Sequence, residues 1–86
     1  MLKILVIGLG YVGTANAVLL SQHNEVTCFD IDTSKSNNLV NGISPIEDKE
    51  VTEYLSSKKL NLKTVNSYPT EIDNFDFAII ALSLIH

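Results

Sequence analysis

The chain opens with a strand-like run, a glycine-rich turn and a helix-like run, and this order restricts its fold more than any other feature. Residues 2–7 read LKILVI, a short run of branched apolar residues that ends at Gly8. Such a run is typical of a strand buried on both faces of a parallel sheet. From Val12 to about Ser21 the apolar spacing becomes helical, with Val12, Val18 and Leu19 on the predicted apolar face.

The alternation of strand and helix continues beyond this point. Residues 25–29, EVTCF, predict a second strand, so that strand, helix and strand together have the size of one βαβ unit. Residues 34–41 predict a short helix that ends before Gly42. Strands that alternate with helices predict a right-handed, doubly wound α/β fold with a parallel sheet.

A further helix and two further strands are predicted in the second half of the chain. Ser44, Pro45 and Glu47 form the pattern of an N-cap, a first helical position and a capping box, which predicts a helix from there to about Lys58 or Lys59. Residues 60–65 alternate like a third strand. Residues 75–81, FDFAIIA, predict a fourth, buried strand, at or near an exposed sheet edge where the chain ends.

Residues 8–13, GLGYVG, match the pattern G-x-G-x-x-G between the first strand and the first helix. An acidic residue, Asp30, closes the second strand 22 positions after Gly8, which makes the match specific for a dinucleotide site. Gly8 permits a tight turn, Gly10 lets the backbone approach a pyrophosphate, and Gly13 permits close packing of the helix. The sequence therefore predicts a Rossmann-type doubly wound parallel sheet, incomplete at about four strands, that binds NAD.

Two carboxylates follow the second strand, and their predicted tasks differ. Asp30 can accept hydrogen bonds from the adenosine ribose and would repel a 2′-phosphate, so NAD is favoured over NADP. Asp32 is the competing ribose ligand, but its position better suits the cap of the next helix. The chain has no arginine, yet a helix N-terminus can hold the pyrophosphate without one.

Charge and cysteine content restrict the possible partners and surroundings. The net charge of −4 and the pI near 4.9 argue against binding to nucleic acid or to an anionic membrane surface. The single cysteine, Cys28, excludes an internal disulfide and a cysteine-rich metal site, and indicates a cytoplasmic setting. Nothing electropositive lies near Cys28 in sequence, which favours a core residue over a nucleophile. Tyr11 either covers the start of the helix or lines the cofactor groove.

Four segments together resemble the NAD-binding domain of the UDP-glucose/GDP-mannose dehydrogenase family. They are residues 7–13 (IGLGYVG), 15–20 (ANAVLL), 30–32 (DID) and 41–48 (NGISPIED), and the resemblance extends over residues 1–81. It implies that the loop from Gly8 to Gly13, including Tyr11 and Val12, holds the pyrophosphate. It also implies that Asp30 holds the ribose and that Lys35 contacts the adenosine end of the cofactor.

The same resemblance implies a function and the limits of this chain. Members of the family are cytoplasmic and oligomeric, and oxidise the C6 alcohol of UDP-glucose to a carboxylate in two NAD-dependent steps. Their catalytic cysteine and lysine, substrate site and dimer region lie beyond the matched stretch, and Cys28 is not that cysteine. We therefore expect an NAD-binding N-terminal fragment without catalytic residues, rather than an active enzyme by itself. The alternatives are a non-enzymatic NAD-binding regulatory module, which residues 44–48 argue against, and a truncated product without function.

The last five residues, 82–86 (LSLIH), depart from the family pattern. We expect an NAD-binding domain over residues 1–81 followed by a divergent tail. A frameshifted or prematurely ended gene is our hypothesis for this departure.

Overall fold

The strands within the described part of the chain form one parallel sheet of four strands. The computed structural model describes residues 1–44, 47–57, 59–67, 69–70 and 72–81. The elements are, in order, β1 (Lys3–Ile7), α1 (Tyr11–Leu20), β2 (Glu25–Phe29), α2 (Thr33–Val40), α3 (Lys49–Ser57), β3 (Leu62–Thr64), a 3₁₀ turn (Ile72–Asn74) and β4 (Phe77–Ile80). The strand order is β3-β2-β1-β4, which confirms the predicted parallel α/β sheet. None of the described helices is long and apolar enough to cross a membrane.

Each face of the sheet carries its own apolar cluster. Alternate residues of β1 point to opposite faces, so Ile4 and Val6 belong to one cluster and Leu5 and Ile7 to the other. The first cluster also receives buried side chains from β2 and from all three helices: Val26, Cys28, Ala17, Val18, Leu39 and Val51. The second cluster adds Phe29, with the partly buried Val65 and Phe75 packed against it. The prediction that β1 is buried on both faces is confirmed.

The apolar face of α1 differs in part from the prediction. Ala17 and Val18 are buried, but Val12 is 64% exposed and Leu19 is 57% exposed, so their predicted places on the apolar face are wrong. The buried face of α1 runs instead through Gly13, Thr14, Ala17 and Val18. Gly13, Thr14 and Ala17 are small, which lets this face of the helix lie close to the sheet, and Val12 and Leu19 lie outside this face.

The short helix α2 ends as predicted. Gly42 lies just beyond its C-cap and has φ +78°, in the left-handed region that glycine adopts at low cost. The N–H of Gly42 donates to the carbonyl of Leu39 at 3.1 Å, and the N–H of Ile43 donates to that of Asn38 at 2.8 Å. These two bonds form a Schellman motif, which satisfies the last carbonyls of the helix.

The predicted start of α3 is wrong. The helix begins at Lys49, and Glu47 lies before it in non-helical backbone, while Pro45 and Ile46 lie outside the described residues. Asp48 caps the helix, because its Oδ1 accepts from the Val51 N–H at 3.1 Å and its carbonyl accepts from the Thr52 N–H at 3.0 Å. Asp48 is as good an N-cap as serine, and starting from Asp48 the helix buries Val51 in the first cluster.

The strands of the second half are shorter or more exposed than predicted. β3 covers only Leu62–Thr64. The prediction that β4 is buried is wrong for the chain as described, since Phe77 is 59% exposed and Ile80 is 63% exposed. β4 lies at the edge of the sheet and pairs with β1 alone in the described order, whereas the main helix–strand packing falls on β1, β2 and β3. Its edge position agrees with the prediction.

Candidate functional site

The loop between β1 and α1 turns sharply at Gly8. Gly8 has φ +98°, a conformation that favours glycine, and its N–H donates to the carbonyl of Phe29 at 2.8 Å. Two residues later Gly10 is the N-cap of α1, and its carbonyl accepts from the Thr14 N–H at 2.9 Å. The predicted tight turn at Gly8 is therefore present, at the carboxyl ends of β1 and β2.

The second and third glycines of the motif, Gly10 and Gly13, differ in what a side chain at each position would contact. A Cβ added to Gly13 would collide with the backbone carbonyl of Gly8, and it would also lie 3.5 Å from the Cβ of Ala81. A Cβ added to Gly10 would meet nothing within 4 Å. The packing of the chain itself thus requires glycine at position 13, whereas at position 10 the absent side chain leaves open space beside the start of the helix.

The N-terminus of α1 can receive an anion. The first N–H groups of a helix have no partner within the helix, and Gly10 supplies no side-chain cap. The first turn of α1 carries no acidic residue of its own, and the positive end of the helix dipole favours an anion there. Tyr11 and Val12 lie beside it with 61% and 64% of their surfaces exposed, which does not favour a purely covering role for Tyr11.

Asp30 links the glycine loop to the end of β2. Its Oδ2 accepts from the Leu9 N–H at 2.6 Å, and its Oδ1 accepts from the Asp32 N–H at 2.7 Å. Sequence reasoning placed Asp30 at this strand end but missed its bond to the loop. The signal was present, because pairing Ile7 with Phe29 in parallel strands brings the residues after each strand to one edge. Each carboxylate oxygen keeps a further lone pair for a ligand hydroxyl.

Asp32 caps α2, as predicted. Its Oδ1 accepts from the Ser34 N–H at 3.0 Å and from the Ser34 hydroxyl at 2.6 Å. These hydrogen bonds, with a smaller contribution from the charge of Lys35, hold the pKa of the exposed Asp32 below its ordinary value. Lys35 itself is half-buried in the first turn of α2, and its N–H donates to the Asp32 carbonyl at 3.1 Å.

Most of the predicted site residues lie together at the carboxyl ends of β1 and β2. Six of them, Gly8, Gly10, Tyr11, Val12, Gly13 and Asp30, lie in or beside the β1–α1 loop. Lys35 lies farther along, in the first turn of the helix that follows β2. The carboxyl ends of parallel strands in open α/β sheets are where ligands usually bind.

Cys28 belongs to the core and not to this edge. It is fully buried in β2, and this burial raises the pKa of its thiol to about 12 from an ordinary value of 9.0. A buried thiol with a raised pKa is a poor nucleophile at neutral pH. The prediction that Cys28 is a core residue is confirmed.

Two measurements should show this property of Cys28. A thiol-reactive disulfide reagent at pH 8 should modify the folded chain at least about 100-fold more slowly than the urea-unfolded chain, because reaction requires unfolding. The thiol of the unfolded chain ionises at a lower pH than the thiol of the folded chain, because its pKa is 9.0 and not about 12. The free energy of unfolding should therefore fall as the pH rises from about 9 towards 12. The Cys28→Val variant should lose less stability over that range. Equal rates of modification in the folded and unfolded chains would contradict the assignment.

A separate cavity lies on the second face of the sheet. Its volume is about 470 Å³, and its lining includes Lys3, Glu25, Thr27 and Lys63, with Phe75 from the segment before β4. Thr27 is 97% buried, and its Oγ1 has no hydrogen-bond partner among the described residues. The lining strand residues lie towards the amino ends of β1 and β2, so this cavity is distinct from the edge that carries the glycine loop.

Comparisons with known proteins agree with the geometry of the glycine loop at the carboxyl ends of β1 and β2. The model of the NAD binding domain of the UDP-glucose/GDP-mannose dehydrogenase family matches residues 2–83. The UDP-glucose 6-dehydrogenase of Campylobacter jejuni is 39% identical over 82 residues, which cover 93% of this chain and 21% of that protein. The UDP-glucose 6-dehydrogenase of Streptococcus pneumoniae is 40% identical over 80 residues, covering 93% and 20%.

A solved structure shows the same fold. The UDP-glucose dehydrogenase from the hyperthermophilic archaeon Pyrobaculum islandicum superimposes with a TM-score of 0.80 at 27% identity, covering 95% of this chain and 20% of that chain. The chain thus spans about a fifth of the length of these relatives. The predicted family and the predicted cofactor, NAD, are confirmed. The chain belongs to the UDP-glucose/GDP-mannose dehydrogenase family, and it corresponds to the NAD-binding domain of that family.

Proposed function

We propose that the β1–α1 loop and Asp30 bind the adenosine diphosphate part of NAD. The observation that carries the proposal is the open space at Gly10, which lies at an uncapped helix N-terminus. A pyrophosphate placed there would accept hydrogen bonds from the first N–H groups of α1 and be stabilised by the positive end of its dipole. Gly8 and Gly13 support this cradle by shaping the loop, and the exposed Tyr11 and Val12 form its rim.

The ribose end of the proposed site is formed by Asp30. Its carboxylate is already oriented by the Leu9 and Asp32 N–H groups, so little ordering is needed when ribose hydroxyls bind. Lys35, in the first turn of α2, contacts the adenosine end in this proposal. The proposed cofactor-binding set is therefore Gly8, Gly10, Tyr11, Val12, Gly13, Asp30 and Lys35, within a domain of residues 1–81.

In the longer proteins of this family, this unit supplies NAD for the oxidation of a nucleotide sugar. NAD, when bound, accepts the hydride, and the residues of this chain bind and orient its adenosine half. Cys28 is buried in β2 and takes no part. We propose that substrate binding, catalysis and oligomer formation belong to other parts of those cytoplasmic enzymes, so that this chain alone does not oxidise UDP-glucose.

Calorimetric titrations with NAD, ADP-ribose and nicotinamide mononucleotide test this proposal. NAD and ADP-ribose should bind with dissociation constants within about threefold of each other, both tighter than about 1 mM. Nicotinamide mononucleotide lacks the adenosine half and should not bind measurably. Binding of nicotinamide mononucleotide as tight as that of ADP-ribose, or no binding of ADP-ribose, would contradict the assignment.

A further inference from the structure

The end of α2 carries an asparagine–glycine pair that lies at the surface. Asn41 and Gly42 are both exposed, and a Cβ added to Gly42 would meet nothing within 4 Å. Because Gly42 has no side chain, its backbone nitrogen is open to attack the side-chain amide of the residue before it. Asparagine is among the thermolabile residues, and asparagine followed by glycine is the pair in which this attack meets the least steric hindrance.

The reaction at this pair needs only water as a co-reactant. The Gly42 nitrogen forms a bond to Cγ of Asn41, the bond from Cγ to Nδ2 breaks, and Nδ2 leaves as ammonia with the proton that the Gly42 nitrogen loses. The product is a cyclic succinimide. Water then adds to either ring carbonyl and opens the ring, which leaves aspartate or isoaspartate at position 41.

The cap of α2 holds both reacting groups away from the geometry of ring closure. With the ψ of Asn41 at 8°, the Gly42 nitrogen nearly eclipses the backbone nitrogen of Asn41, whereas ring closure requires it to lie beside Cβ. The Gly42 N–H donates to the Leu39 carbonyl at 3.1 Å, and Nδ2 of Asn41 donates to the Asn37 carbonyl at 2.8 Å. Rotation about ψ breaks the first bond, and turning the side chain towards Gly42 breaks the second.

We propose that Asn41–Gly42 is a site of spontaneous deamidation, and that the Schellman motif at the end of α2 controls its rate. The reaction proceeds when the last turn of α2 opens, so its rate follows the local stability of that turn. Either product places a negative charge at the C-terminus of the helix, where the dipole disfavours it, and removes the amide that donates to Asn37. The modification therefore weakens the same turn that restrained it.

Peptide mapping by mass spectrometry tests this proposal by measuring the fraction of Asn41 converted in mildly alkaline buffer. The full 86-residue chain is incubated folded and in guanidinium chloride, and conversion should be at least about 10-fold slower in the folded chain. Val40→Gly, at a 55% exposed position in the last turn of α2, weakens the helix without changing the pair and should reduce this ratio about twofold. Asn41→Gln is the chemical control, because its longer side chain disfavours ring closure, and position 41 should stay unconverted.

Each outcome decides one part of the proposal. No conversion at position 41 in the unfolded chain overturns the site. Equal rates in the folded and unfolded chains, or a ratio in Val40→Gly equal to that of the unsubstituted chain, overturn the control by the cap. The converted chain, separated by ion exchange, should melt at a lower temperature than the unconverted chain, and equal melting temperatures overturn the weakening of α2. If Val40→Gly does not unfold cooperatively, the two rates of the unsubstituted chain provide the test.

Discussion

Replacing Gly13 by alanine is expected to prevent stable folding of this chain. The added Cβ would collide with the backbone carbonyl of Gly8, which cannot move without disturbing β1, because the Gly8 N–H is bonded to Phe29. Overpacking typically costs about 1–3 kcal/mol, and a collision with backbone such as this one lies at the upper end of that range or above it, a large part of the stability of so small a domain. Circular dichroism during thermal unfolding should show a loss of cooperative melting, or a large fall in the melting temperature.

The matched control for this prediction is Gly10→Ala. Its Cβ would meet nothing within 4 Å, and the φ of −77° suits alanine, so the cost to stability should stay below about 1 kcal/mol. The same Cβ would stand in the proposed pyrophosphate space and should weaken NAD binding at least about tenfold. A Gly13→Ala chain that melts like the unsubstituted one would contradict the account of the loop. Unchanged NAD affinity in Gly10→Ala would contradict the placement of the pyrophosphate.

Replacing Asp30 by alanine is expected to reduce both stability and NAD affinity. The buried Leu9 would lose the acceptor for its N–H, which costs about 2 kcal/mol of unfolding free energy. The loss of two charge-assisted hydrogen bonds to the ribose should weaken NAD binding about 100-fold. Urea unfolding and calorimetric titration of the same preparation measure the two effects separately.

Asp76→Ala is a structural control for the Asp30 substitution. Asp76 Oδ2 accepts from the Lys3 N–H at 2.8 Å, so its carboxylate also binds a backbone N–H at one end of β1. This is the amino end of β1, whereas the glycine loop lies at its carboxyl end. Its removal should lower stability and leave NAD affinity within about twofold. If Asp76→Ala weakens NAD binding as much as Asp30→Ala does, the effect of Asp30 is a general loss of structure and not the loss of a ligand.

The strands and the glycine loop of the first thirty residues were predictable because local and tertiary signals agree there, whereas the buried face of α1 was not. The apolar run of β1, the glycines and the residues of β2 each favour a single local structure. The short βαβ connection also allows few topologies. The bounds of β2, Glu25–Phe29, follow directly from the sequence. The bond between Asp30 and Leu9 was harder to foresee, since it depends on how two loops meet at the sheet edge.

The second half was less predictable because its signals compete or depend on neighbours. Ser44 and Asp48 are both good N-caps, and the burial of Val51 accompanies the start at Asp48, which no local pattern reveals. The apolar composition of β4 predicts burial, but exposure depends on what covers a strand, and Phe77 lies on an edge strand. Periodicity indicates which residues prefer an interior, and the packing of other elements decides which of them reach it.

The most direct test of the account is to follow the backbone amide signals of the ¹⁵N-labelled chain by nuclear magnetic resonance while NAD is added. We expect the signals of residues 8–13 and 30–32 to shift together along one saturating curve. Signals of Lys3 and Lys63, which line the separate cavity on the second face, should stay in place. Saturable shifts centred on Lys3 and Lys63, with residues 8–13 unchanged, would contradict the claim that the β1–α1 loop is the NAD site.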